Sequence, residues 1–262
     1  MSHSDESGAL TSLRSRERSD AAQSGRGRAF AFSVVFATAL IDSIGFGIIL
    51  PVTPDLLMSV SGASLASSAV YGGWLMMVFA VMQFFAMPVI GNLSDAFGRK
   101  PVLLISLGVL AANYLLMGLA ESLTLLFIGR LLSGIGSATF STCNAYIADR
   151  TSSEERAQYF GMMGAAFGLG FVIGPVLGGF LGEFGPRVPF FVTAAMVLLN
   201  LLMGLVLLPE SLPKISRRPF EWRRANPLSA LLSMRQFKLA YLIIGVLFFY
   251  NMGHHVLPAV WN

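Results

Sequence analysis

Apolar residues in this chain come in blocks of about 20, long enough as helices to cross the ~30 Å hydrocarbon core of a bilayer. Short polar stretches separate the blocks. The pattern predicts spanning helices over residues 30–51, 69–90, 101–120, 123–147, 158–181 and 189–208, and a seventh that begins near 238 and runs towards Asn262. Inside lipid a helix satisfies its backbone groups internally, so helix is the reading for every block. Residues 1–28 are polar, rich in Ser and Arg and without a hydrophobic period, and they read as a disordered tail. No convincing cleavage site follows the first block, which therefore reads as a retained helix. Residues 209–237 are polar and basic and divide a bundle at 29–208 from the start of a second bundle at 238–262.

Composition agrees with the pattern. Of 262 residues, 55% are hydrophobic and 12% charged, against about a quarter charged in a soluble domain. The net charge of +4 does not point to nucleic acid, because the basic residues sit in alternate loops. They cluster as Arg14, Arg16, Arg18, Arg26 and Arg28 in the tail, Arg99 and Lys100 after segment 2, and Arg150 and Arg156 after segment 4. Residues 209–237 add Lys214, Arg217, Arg218, Arg223, Arg224 and Arg235, whereas the opposite side has Arg187 alone. By the positive-inside rule the tail and the long loop are cytoplasmic and helix 1 runs outward. One cysteine, Cys143, gives no internal disulfide and no expected thiol metal site. His254 and His255 are adjacent in the seventh segment and point to different helix faces, which makes them a poor metal pair.

A short echo runs through the chain. GNLSDAFGR (91–99) follows segment 2 and GGFLGEFGPR (178–187) follows segment 5. The two lie three helices apart, on opposite faces, as in inverted three-helix repeats.

Several polar groups fall inside apolar blocks. Asp42 lies mid-helix in FATALIDSIGFGIILP. An intramembrane acid costs several kcal/mol (about 3, on insertion scales) unless paired, hydrated or protonated, and it is a functional candidate by default. Burial disfavours the charged form of a carboxylate, which is how such groups come to exchange protons near neutral pH. The alternative is a structural hydrogen bond to a neighbouring helix. Arg130, in segment 4, holds its proton and must find a carboxylate, carbonyls or water, or else snorkel outward. Gln83, Asn113 and Asn144 could line a substrate cavity or make interhelical hydrogen bonds. Gly170, Gly174 and Gly178 share one face of segment 5, beside Gly179 and the helix-bending Pro175. That smooth face reads either as static packing or as a hinge against another helix. After segment 2, Gly91 and Gly98 permit a sharp turn, and Asp95 can cap the next helix or pair with Arg99. A charged clamp there would act as a breakable cytoplasmic latch.

That last stretch resembles the signature of the major facilitator superfamily between its helices 2 and 3, through Gly91, Leu93, Asp95, Gly98, Arg99 and Lys100. Arg130, Gly134, Gly136 and Ala138 match the family's helix 4 motif. Gly170, Gly174, Pro175, Gly178 and Gly179 match its helix 5 antiporter motif. LIDSIGFGIILPVTP and LVLLPESLP resemble the tetracycline-resistance branch of drug:proton antiporters. The resemblance implies an all-α membrane protein holding the N-terminal six-helix bundle of two inverted repeats plus part of a seventh helix. It also implies a bacterial inner-membrane exporter of a drug-like small molecule, driven by protons with no cofactor. Asp42 and Arg130 would couple protons, Asp95 and Arg99 would form the cytoplasmic gate, and a C-terminal half would complete the cavity. Where the tetracycline exporters carry an acid before a Tyr in helix 3, this chain has Asn113, which weakens a magnesium–tetracycline substrate. An uptake symporter or an inactive half-transporter are the alternatives. An enzyme is not expected, since no nucleophile–base pair or metal-ligand cluster stands out.

Overall fold

The computed structural model describes residues 3–227 together with 242, 243, 245 and 246, and for residues 3–28 and 223 the backbone alone. The seventh segment as a whole, with His254 and His255, and Arg235 of the loop lie outside the described residues. The elements are α1 (His3–Ser61), α2 (Leu65–Phe97), α3 (Arg99–Gly118), α4 (Leu123–Gly136), α5 (Thr139–Arg150), α6 (Ser153–Gly182), α7 (Val188–Leu207) and the short α8 (Trp222–Ala225), with a 3₁₀ turn at Lys214–Ser216. Among the described residues, six spans are long and apolar enough to cross a membrane: Ala29–Ser61, Leu65–Phe97, Arg99–Gly118, Leu123–Arg150, Ser153–Gly182 and Val188–Leu207. All six predicted segments are therefore helical and of spanning length.

Four boundaries differ from the sequence pattern for identifiable reasons. The helix of α1 begins well before its apolar span, through residues read as a tail; that stretch has no proline and extends a helix already nucleated by the span. At its other end α1 continues past Pro51 and Pro54 to Ser61, because Val52, Leu56 and Leu57 are buried there and hold the backbone in place. The polar stretch after segment 2 is helical through Phe97, so Gly91 lies inside α2 and Gly98 alone, at φ +109°, makes the turn. Segment 4 is broken at Ser137–Ala138 into α4 and α5. Hydroxyls take over carbonyls at the break, Ser137 Oγ donating to Gly134 O (2.7 Å) and Thr139 Oγ1 to Gly136 O (3.0 Å), which competes with the helical ladder.

The packing carries the repeat seen in the sequence. The largest helix contact is α1 with α6, followed by α3 with α7 and α2 with α4. Under a relation that maps spans 1, 2, 3 onto 4, 5, 6, the pair 1·5 becomes 4·2 and the pair 3·6 maps onto itself. The echoed glycines match as well: Gly98 and Gly185 both adopt positive φ, +109° and +127°, at the turns that close α2 and α6. Helices α2 and α6 are the equivalent outer pair, with 17% of their apolar windows buried against 56% for α1 and α3.

Candidate functional site

Two clusters of polar groups stand out, one in the middle of the bundle and one at the end where α2 meets α3.

In the middle, Asp42 is half-buried on α1 and makes no hydrogen bond or ion pair among the described residues. One turn further, Gly45 touches α3: a Cβ there would lie 2.7 Å from the Tyr114 hydroxyl. Tyr114 is buried within coulombic reach of both Asp42 and Arg130. Cys143 of α5, fully buried, is within reach of Asp42. Arg130 is 2% exposed, and among the described residues its Nε and Nη2 have no hydrogen-bond partner. Enclosing a guanidinium in this way costs energy. Asn113 donates from Nδ2 to Ser133 Oγ at 2.7 Å, joining α3 to α4, while its Oδ1 is buried and unpartnered. Asp42 and Arg130 thus both lie near Tyr114, a residue the sequence reading did not single out, while Asn113 faces Ser133 of α4. Gln83 is half-buried on α2 where that helix crosses α4: a Cβ on Gly134 would meet the Gln83 backbone nitrogen at 3.0 Å. Asn144 is half-buried on α5 and is not drawn into the cluster by any described hydrogen bond.

The antiporter-motif glycines face α1. A Cβ on Gly170 would come within 2.6 Å of Ser43 Cβ, and one on Gly174 within 2.7 Å of both Gly47 Cα and Ile44 O. One on Gly178 would lie 2.5 Å from Ile48 O. Ser43 Oγ donates across the seam to Phe167 O at 2.6 Å. The smooth face therefore closes onto the Asp42-bearing helix of its own bundle. Gly179 falls off that face and meets nothing within 4 Å.

At the α2–α3 turn, Arg99 is held from three directions. It pairs with Asp95 (2.6 Å) and with Asp149 at the end of α5 (3.0 Å), and donates from Nη1 to Ser94 Oγ (2.6 Å). Lys100 reaches Leu205 O (3.0 Å). Glu210, just beyond α7, caps α3 in place of the side chain that Gly98 lacks: its Oε1 accepts from Arg99 N (2.9 Å), Ser211 N (2.9 Å) and Leu212 N (3.1 Å). Arg150 Nη2 donates to Glu210 O (2.6 Å), and Tyr146 hydroxyl to Pro209 O (2.9 Å). Asp149 and Glu210 were missed by sequence reasoning. Their signals are an acid inside AYIADR and another in PESLP, each beside a cluster of arginines.

These features define a polytopic helical membrane protein with polar groups buried in its interior and a charged end. The chain belongs to the Major Facilitator Superfamily, whose sequence model matches residues 35–260. It is 40% identical over 231 residues to the class C tetracycline resistance protein of Escherichia coli, covering 88% of this chain and 58% of that protein. It is 33% identical over 184 residues to multidrug resistance protein 2 of Bacillus subtilis (strain 168), covering 69% of this chain and 44% of that one. The human organic anion transporter MFSD10 (TETRAN) superposes with a TM-score of 0.67 at 29% identity, over 78% of this chain and 55% of that structure. The chain spans about half the length of the curated relatives it matches.

Proposed function

We propose that the chain forms the N-terminal half of a proton-coupled exporter of drug-like small molecules, working by alternating access in the bacterial inner membrane with its N-terminus in the cytoplasm. The observation that carries this reading is the central acid on α1, left without a partner beside Tyr114 and an Arg130 whose Nε and Nη2 are also unpartnered. Likeness to tetracycline and multidrug resistance proteins supports export as the direction. Protonation of Asp42 neutralises the one acid of this cluster and changes its attraction to Arg130, which biases one bundle arrangement over another. The α1–α6 seam carries any shift of α1 directly into α6. The Asp95–Arg99–Asp149 cluster ties the ends of α2, α3 and α5 together on the cytoplasmic side. Substrate enters between this bundle and a second half, past Gln83 and Asn144. The substrate class is a drug or tetracycline-like antibiotic, with Asn113, where the resemblance expects an acid, weakening the case for a cationic metal chelate.

The test is the susceptibility of an efflux-deficient bacterium expressing the chain in its complete reading frame, over a panel of tetracyclines and unrelated drugs. Protection that is lost in Asp42→Asn at equal expression supports the proposal. Accumulation of a metabolite inside the cell without protection would make the protein an uptake symporter.

A further inference from the structure

Beyond α7 the chain does not leave the bundle. Residues 208–226 strap across the ends of α5, α3 and α2 through Tyr146, Glu210 and the arginines described above. Arg218 N then donates to Asp95 O at 3.1 Å, and Asn92 Nδ2 donates to Glu221 O at 2.6 Å. The second contact sets the level of α8. Asn92 lies five residues before the end of α2 at Phe97, which at ~1.5 Å per residue is about 7.5 Å back towards the membrane centre. The strap therefore turns back alongside α2, level with Asn92.

At that depth its outer surface is unusual. Ile215 is 96% exposed and Trp222 is 77% exposed, with Phe220 set edge-on to the Trp222 ring at 5.0 Å. The inner side, Ala225 and Pro227, is buried. Arg217 pairs with Glu210 (3.6 Å) and Arg224 with Glu221 (3.1 Å), which leaves Lys214 and Arg218 exposed and without an ion pair among the described residues. Indole rings favour the membrane–water interface, and basic side chains just outside a span attract anionic lipid.

We propose that this strap seats the end of the bundle on anionic phospholipid, with Trp222 and Ile215 in the interfacial layer and Lys214 and Arg218 on the lipid phosphates. The inference is independent of what the protein transports.

The chain has three tryptophans, so Trp74→Phe with Trp261→Phe leaves Trp222 as the sole reporter. This 262-residue chain is reconstituted in phosphatidylcholine vesicles and in vesicles with about a third phosphatidylglycerol, with helicity checked by circular dichroism. Trp222 emission is expected to be blue-shifted and quenched by lipids brominated near the headgroup, about twofold more in the anionic vesicles. Lys214→Ala with Arg218→Ala should abolish the difference between the two lipids at unchanged helicity. Equal quenching by aqueous acrylamide in both lipids would overturn the proposal. So would protection from both acrylamide and bromolipid, which would mean that protein covers Trp222, and so would bromolipid quenching indifferent to lipid charge.

Discussion

Replacing Gly174 by alanine adds one methyl group in the middle of the α1–α6 seam, where the facing atoms are backbone. The new Cβ would sit 2.7 Å from Gly47 Cα and from Ile44 O, both of them backbone atoms on the facing helix. Ordinary contact needs about 3.7 Å, so the helices must part by roughly 1 Å. No flexible side chain can absorb that displacement, and the Ser43–Phe167 hydrogen bond next to it stretches too. Overpacking of this kind costs about 1–3 kcal/mol, a factor of roughly 5 to 150 in the unfolding equilibrium at 1.4 kcal/mol per decade. The control is on the same helix. A Cβ on Gly168 meets nothing within 4 Å, so Gly168→Ala makes the same chemical change without the clash and gains whatever helix propensity alanine brings. Unfolding in mixed detergent micelles titrated with a denaturing detergent, followed by circular dichroism, reads both variants. Gly174→Ala is expected to unfold earlier than the parent, and Gly168→Ala at or beyond it. Equal midpoints for the two variants would refute the assignment of the motif glycines to the α1 seam.

Other consequences are measurable in the same way. Arg130→Met replaces a buried guanidinium whose Nε and Nη2 lack partners; stability should hold or rise by up to about 3 kcal/mol while drug protection disappears, and a loss of both would show that the arginine is paired structurally. Glu210→Gln weakens a charge-assisted cap on α3 and should lower the unfolding midpoint by the equivalent of about 1–3 kcal/mol, with Arg99, Ser211 and Leu212 the first amides to gain hydrogen exchange. Thr38 and Asn200 bond each other between α1 and α7 at 3.1 Å; a double-mutant cycle with Thr38→Val and Asn200→Leu should return a coupling of about 0.6–2 kcal/mol, and a value near zero would remove this pair as a bundle fastener.

The spans were legible in the sequence because a bilayer imposes a length and a polarity that a run of residues either meets or fails. The chemistry of the family motifs was legible for a related reason: glycine at four-residue spacing with a following proline, or Asp-x-x-Gly-Arg at a span end, leaves few structural readings. Partners across the bundle were harder to see. Asp149 lies 50 residues from Arg99 and Glu210 lies 111 from it, and local sequence carries no record of which acid meets which arginine. The helix facing Gly174 stayed open because periodicity shows that a face exists without showing which helix lies against it. Tyr114 escaped notice because a tyrosine in an apolar run looks like core; its hydroxyl acquires meaning only when Gly45 brings α1 against it. The strap was read as a plain loop, since its contacts with α2 are made by backbone groups of Arg218 and Glu221 that no side-chain pattern reveals.

The central claim is that Asp42 exchanges the proton that drives export. Its most direct test uses inside-out membrane vesicles, acidified internally by respiration, that contain the protein from its complete reading frame and a pH-sensitive acridine dye. Adding a drug from the protected set should release lumenal protons and restore dye fluorescence, and Asp42→Asn at equal expression should give no recovery. Undiminished recovery with Asp42→Asn would place the coupling proton elsewhere and contradict the account.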